Sequence, residues 1–218
     1  MKSILLTLSF GFAMACANLA SAQISEIRVG TNIHDIDWTS FGSAGDKERS
    51  IAINGEIVFD SPAFLDWALS PRPYLGATLN LEGETSHGGT GLTWRRNFSD
   101  KFYFDASFGL AIHNGTREVR PSDLVQTVFD DPSVIPNLTP AQIAQFNLDI
   151  TDFRNRQNTE IDFGSRILFR QQIAIGYRWA EDWSAHIFAE HLSHGNILVS
   201  GRPNEGLDTL GFRIARHF

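Results

Sequence analysis

The sequence predicts an all-β protein: an eight-stranded antiparallel transmembrane β-barrel whose interior is filled by side chains. Three observations lead to this fold class. Short stretches of alternating apolar and polar residues recur along the chain, their polar faces carry many charges, and the chain ends at Phe218 within the last stretch. The stretches approach the roughly 9–11 residues with which a tilted strand crosses a bilayer.

Eight stretches show the period of two residues that is typical of strands. The apolar positions begin, in chain order, at Ile27, Ile51, Leu75, Leu92, Phe102, Ile167, Ala185 and Leu210. An even number of antiparallel strands can close into a barrel. Closure removes the unpaired strand edges that a lipid environment would penalise, which favours a barrel for a membrane protein.

A soluble β-sandwich would show the same alternation, so the charged faces decide between the two folds. Arginines on one stretch can pair with carboxylates on others inside a narrow barrel, whereas a solvated face needs no such balance. The residues concerned are Arg166, Arg170 and Arg178 on one side, and Glu26, Glu56, Asp105 and Glu190 on the other. A terminal phenylalanine is also typical of bacterial outer-membrane barrels. Both features favour the membrane fold.

The first 22 residues are predicted to be a secretory signal peptide, leaving residues 23–218 as the outer-membrane barrel. Lys2 provides the basic start, Ile4 to Ala17 is apolar, and Ala20-Ser21-Ala22 matches a cleavage site. Lipidation of Cys16 is the disfavoured alternative, because no leucine precedes this cysteine at the usual position. The mature chain then has no cysteine, and hence no disulfide.

The remaining composition restricts location and partners. No apolar run after the signal approaches the ~18–20 residues of a transmembrane helix, so the predicted multi-pass span of the bacterial outer membrane rests on strands. The net charge of −7 argues against a nucleic-acid partner. We expect a monomer or a homodimer.

The connections give an orientation if the mature N-terminus is periplasmic. Four connections then lie outside: His34 to Glu48, Glu82 to Gly88, Asn114 to Glu160, and His194 to Glu205. In the third and longest, residues 114–160, Thr139 followed by Pro140 predicts a capped helix that ends at about Phe146. This loop has no glycine cluster or catalytic signature, so we expect a solvated insertion in preference to a lid.

The seventh stretch, which begins at Trp183, carries polar residues on its apolar face. His191 and Ser193 are two residues apart and share this face, at a Cα spacing of roughly 7 Å. Ten residue steps from Trp183 correspond to a rise of about 23 Å in a tilted strand, which places Ser193 near the outer edge of the membrane. Asp208 has the lipid-facing parity of the last stretch. The three side chains are therefore expected to converge.

These residue types suit nucleophilic catalysis. A serine hydroxyl becomes an effective nucleophile when a neighbouring base takes its proton, a role that His191 can fill for Ser193. Asp208 would bond the other imidazole nitrogen and fix its tautomer; Glu205 is the alternative acid. Polar groups on a lipid-facing surface are costly, which favours a functional role over chance occurrence.

The motif His191-Leu192-Ser193, followed by Asn204-Glu205-Gly206-Leu207-Asp208, resembles the signature of the PagL family of outer-membrane lipid A 3-O-deacylases. The resemblance implies an eight-stranded barrel with a Ser-His-acid triad on its outer surface. It also implies hydrolysis of the ester at the 3-position of lipid A, with release of a 3-hydroxy fatty acid. No metal and no cofactor is implied.

By position in this motif, His191 is the base, Ser193 the nucleophile and Asp208 the acid, and Asn204 is a candidate contributor to the oxyanion hole. The chain departs from the pattern at His194, where the family has asparagine, and in a longer loop before Asn204. Both departures concern the oxyanion hole, where each donor is worth roughly 3–4 kcal/mol. The backbone N–H of Gly195 is a second candidate donor.

Two other functions compete with this hypothesis. The chain would be a non-catalytic structural or adhesive barrel if His191 and Ser193 were incidental, or an esterase of the same fold that acts on phospholipid. The expected partner under the leading hypothesis is the lipid A of lipopolysaccharide in the outer leaflet. Arg202, in the fourth outer loop, is a candidate contact for its phosphates.

Overall fold

The structure is a computed structural model that describes residues 23–36 and 45–218. The predicted signal peptide and residues 37–44 of the first outer loop lie outside the described residues. Eight antiparallel strands form a closed barrel in sequential order, with the first strand paired to the last, so the predicted fold class is confirmed. The strands are β1 Ile24–His34, β2 Ser50–Phe59, β3 Arg72–Asn80, β4 His87–Asn97, β5 Phe102–His113, β6 Ile167–Ala180, β7 Trp183–Ser193 and β8 Leu207–His217.

The two faces of each strand follow the alternation in the sequence. Large apolar side chains such as Val29, Leu75 and Ile187 are more than half exposed on the outside, while their polar neighbours are buried inside. Exposed apolar residues in this number form a lipid-facing belt, not a solvated surface. No helix among the described residues is long and apolar enough to cross a membrane.

The barrel interior is held together by buried ion pairs. Arg28 bonds Glu26 at 2.8 Å, Glu56 at 2.7 Å and Asp105 at 2.8 Å, and all four side chains are almost completely buried. Arg170 also bonds Glu56, at 3.1 Å. Isolated buried charges would be strongly destabilising, so this mutual pairing is what allows a charged interior.

The predicted pairing of the β6 arginines holds for Arg170 but is wrong for Arg166 and Arg178. Arg170 Nε donates to Glu190 at 2.6 Å inside the barrel. Arg166 Nη1 instead donates to the carbonyl of His113 at 3.0 Å, and Arg178 Nη1 to the carbonyl of Asp100 at 3.4 Å. Arg166 and Arg178 lie close to the two ends of β6. Their position along the barrel axis therefore differs from that of the buried carboxylates with which Arg170 pairs.

The connections are longer at one end of the barrel, which identifies it as the outer end. Loop 3, residues 114–166, contains helix α1 (Asp123–Asp130), a 3₁₀ helix (Pro132–Asn137) and helix α2 (Pro140–Thr159). The predicted Thr139 cap is present and forms a capping box with Gln142. The predicted helix end near Phe146 is wrong, since α2 continues through a segment that contains neither glycine nor proline to stop it.

Candidate active site

His191 and Asp208 form a hydrogen-bonded pair on the lipid-facing side of the barrel. They are register partners on β7 and β8. His191 Nδ1 lies 2.6 Å from Asp208 Oδ1, and the Asp208 side chain is only 1% exposed. Because a carboxylate can only accept, Nδ1 carries the proton. Nε2 of His191 is then left as the nitrogen that can accept a proton.

Ser193 lies two residues further along β7, on the same face as His191. Its register partner on β6 is Phe169, and its own side chain is largely buried. Within residues 23–36 and 45–218 the Ser193 hydroxyl makes no hydrogen bond. The structure thus brings the serine to the histidine's face without forming the bond between them. Such bonds are often long in ligand-free enzymes and shorten when substrate binds.

Glu205, the alternative acid, is committed elsewhere. Its carboxylate accepts a hydrogen bond from Lys47 Nζ at 2.7 Å and from the backbone N–H of Asp162 at 2.8 Å. It therefore joins the first, third and fourth outer loops and does not contact His191. Burial of the Asp162 carboxyl, assisted by the nearby charge of Glu205, raises the pKa of Asp162 above its ordinary value.

The segment after Ser193 contains both candidate oxyanion donors. In loop 4, residues 194–206, the backbone N–H of His194 donates to Asn204 Oδ1 at 3.0 Å. This bond fixes the Asn204 amide and leaves its NH₂ group as the donor. Gly195 is exposed and has a left-handed backbone with φ of 60°, and its N–H makes no hydrogen bond within the described part of the chain.

His194 connects the two ends of loop 4. Its Nε2 lies 2.8 Å from the carbonyl of Pro203, and its Nδ1 accepts from the backbone N–H of Asn196 at 3.1 Å. Since a carbonyl can only accept, the proton is on Nε2 and the buried imidazole is neutral. In the sequence, His194 is notable only because the family pattern has asparagine at this position. The three contacts of His194 identify it as the residue that shapes the loop.

Gln171 is a candidate site residue that the sequence reasoning missed. It is the register partner of His191 on β6 and is half-buried. It has the outward parity of Phe169 and Ile173, so a polar amide lies on the lipid-facing surface directly beside the histidine. That parity was visible in the sequence and could have singled it out.

A groove of ≈ 290 Å³ begins beside His191 and Asp208. Its far part is lined by Ala106 and Ala189, which are the two register partners of Ile173. Ala189 lies two residues before His191 on β7, on the side of the membrane interior. Small side chains here leave room between bulkier neighbours. A larger apolar depression of ≈ 870 Å³ lies across β1 to β6 and contains none of the predicted site residues, so we attach no catalytic role to it.

A closed eight-stranded barrel with an apolar outer belt defines the chain as an integral barrel protein of the bacterial outer membrane. The family model of the lipid A 3-O-deacylases (PagL) matches residues 62–217. The chain therefore belongs to this family and is an outer-membrane ester hydrolase, which disfavours the non-catalytic alternative.

Two solved outer-membrane barrels are similar to the chain. The crystal structure of the outer-membrane enzyme PagL is 12% identical, with a TM-score of 0.52, covering 89% of this chain and 100% of PagL. Neisserial surface protein A is 8% identical, with a TM-score of 0.46, covering 90% of this chain and 99% of its own. No curated protein sequence matches the chain significantly. At 12% identity the likeness to the PagL structure concerns the fold alone.

Proposed function

We propose that this protein hydrolyses the 3-O-linked acyl ester of lipid A, with Ser193 as nucleophile, His191 as base and Asp208 as orienting acid. The observation that supports this most directly is the 2.6 Å bond between His191 Nδ1 and Asp208 Oδ1, two residues along β7 from Ser193 and on the same lipid-facing surface. All proposed site residues come from one chain, so a monomer would be sufficient for catalysis.

The mechanism follows from the protonation state of His191. Ser193 Oγ attacks the ester carbonyl while His191 Nε2 takes its proton, and Asp208 stabilises the resulting imidazolium. The tetrahedral intermediate then expels the sugar hydroxyl, which receives that proton from Nε2. Water, activated by the same nitrogen, hydrolyses the acyl-serine and releases a 3-hydroxy fatty acid.

The oxyanion of the intermediate would be held by loop 4. The NH₂ group of Asn204 and the N–H of Gly195 are the donors next to Ser193 that are available for this role. The groove beside His191 extends from the site towards the membrane interior and is apolar where Ala106 and Ala189 line it. It would accept the acyl chain, while the sugar remains at the outer surface.

The test of the proposed reaction is the lipid A of a heterologous outer membrane that contains this protein. We expect mass spectrometry to show loss of one 3-hydroxyacyl unit and the appearance of the corresponding free fatty acid. Accumulation of lysophospholipid with intact lipid A would instead support the phospholipid esterase. Unchanged lipids in the presence of correctly folded barrel would refute the proposed function.

His194 is expected to act as a positioning residue for the oxyanion hole. Its backbone bond to Asn204 and its ring bonds to Pro203 and Asn196 hold both donors in place. His194→Ala keeps the backbone bond to Asn204 but removes both ring bonds beside Gly195 and Asn204. It should lower kcat by about 100-fold, the effect of losing one oxyanion donor, with little change in KM.

The family residue provides the matched control for this substitution. His194→Asn keeps a side chain that can bond within the loop and should recover most of the lost kcat. Heat-modifiable migration on gels would establish that each variant forms the barrel. A rise in KM without a fall in kcat, or full activity of His194→Ala, would contradict the positioning role.

A further inference from the structure

Three exposed arginines, Arg117, Arg166 and Arg202, lie at the base of loop 3. The backbone of Gly164 bonds the carbonyl of Arg117 at 2.7 Å, and Arg202 Nη1 donates to the carbonyl of Gly164 at 3.5 Å. Arg166 follows two residues later, and its Nη1 donates to the carbonyl of Gly115 at 3.1 Å. Each guanidinium has five N–H donors, so most of them remain available to a ligand.

None of these three arginines forms an ion pair within the described residues. The carboxylates of the surrounding loops have other partners. Glu118 is bonded to Arg120, and Glu205 to Lys47. Asp162 accepts a bond from the backbone N–H of Val119 at 3.1 Å. The charge of Glu118 also lies near Arg117 and Arg202, but its carboxylate is paired with Arg120. The three arginines therefore form a surface with excess positive charge, which is suited to an anionic ligand.

The arginine cluster, Arg117, Arg166 and Arg202, lies on the outer side of the proposed nucleophile. A Cβ atom at Gly164 would be 2.0 Å from the Pro203 carbonyl oxygen and 2.8 Å from His194 Nε2, so the base of loop 3 touches loop 4 directly. Along β6, Arg166 is three residues beyond Phe169, the partner of Ser193, which is a rise of about 10 Å towards the outside.

We propose that the arginine cluster binds a phosphate group on the sugar backbone of lipid A and thereby orients the substrate. This inference rests on the proposed function, since it assumes an ester of the same molecule at Ser193. A phosphate on the glucosamine backbone lies on the headgroup side of the ester, as the arginines lie on the outer side of Ser193. Guanidinium groups bind phosphate oxygens through paired, charge-assisted hydrogen bonds, which gives orientation as well as affinity.

The test compares phosphorylated lipid A with enzymatically dephosphorylated lipid A as substrates. The triple variant Arg117→Gln/Arg166→Gln/Arg202→Gln should lose roughly 10- to 100-fold in kcat/KM on phosphorylated lipid A, as expected from lost charge-assisted bonds. On the dephosphorylated substrate it should match the wild type. Arg154→Gln, on the exposed surface of helix α2 in the same loop, is the control and should behave as wild type on both. Equal losses on the two substrates, or no loss on either, would overturn the proposal.

A binding measurement separates failure of the cluster from failure of the proposed reaction. Ser193→Ala protein in detergent should bind phosphorylated lipid A more tightly than the dephosphorylated form, and the three arginine substitutions should remove this difference. Inorganic phosphate should compete only if the site accepts phosphate from any source; sodium chloride of matched ionic strength corrects for screening. Equal binding of both lipids by Ser193→Ala would refute the phosphate site even if hydrolysis is confirmed.

Discussion

Ser193→Ala is expected to abolish deacylation, with a fall in kcat of about 10⁴-fold or more, while the protein still assembles as a barrel. The hydroxyl is the only proposed group that forms a bond to the acyl carbon, so no neighbouring side chain can replace it. The substitution removes one oxygen from a side chain that makes no hydrogen bond in the described residues, and folding should be unaffected. Release of fatty acid from purified lipid A, followed by mass spectrometry, measures the effect.

A second serine on the same strand provides a demanding control. Ser184 points into the barrel, where its Oγ lies 2.8 Å from His217 Nε2 and 3.2 Å from His186 Nε2. It has closer histidine contacts than Ser193 but is completely buried, so no lipid can reach it. Ser184→Ala should retain activity. Loss of activity in Ser184→Ala together with full activity in Ser193→Ala would show that the nucleophile is wrongly assigned.

The positions of the site residues on the strands could be predicted from the sequence, whereas the path of loop 4 could not. The side-chain period of a strand is two residues, so parity alone placed His191, Ser193 and Asp208 on one face. The direct pairing of His191 with Asp208 in the structure follows from antiparallel register across β7 and β8. These positions could be predicted because a regular barrel allows few alternative side-chain directions and strand pairings.

Loop 4 could not be predicted in the same way. Its path depends on consecutive left-handed residues, Gly195 and Asn196, with φ of 60° and 56°. It also depends on His194 reaching Pro203 across the loop and on close packing against Gly164. Contacts between segments so distant in sequence leave no periodic signal. The end of helix α2 was mispredicted for a local reason: Thr139 and Pro140 mark its start, but no glycine or proline marks its end at Thr159.

The acid of the triad gives the second large effect. Asp208→Ala should lower kcat by roughly 10⁴-fold, because His191 would lose the partner that keeps the proton on Nδ1 and stabilises the imidazolium. Asp208→Asn is expected to be nearly as damaging, since an amide NH₂ that donates to Nδ1 would leave the proton on Nε2, facing Ser193. Asp208→Glu should restore part of the activity, because a glutamate carboxylate can still accept the Nδ1 proton, although from a longer side chain.

Glu205 is the comparison that decides the assignment, because it is the other carboxylate in the motif. Its side chain binds Lys47 and the backbone of Asp162, so Glu205→Gln should preserve an acceptor for the loops and leave kcat within a few-fold of wild type. If Glu205→Gln abolishes turnover while Asp208→Ala does not, the pairing of His191 with Asp208 is not the catalytic one. Only the Asp208 variant removes a contact to the His191 imidazole, whereas Glu205 affects the site only through the packing of the outer loops. A kcat effect confined to Asp208 would therefore locate the acid on the strand.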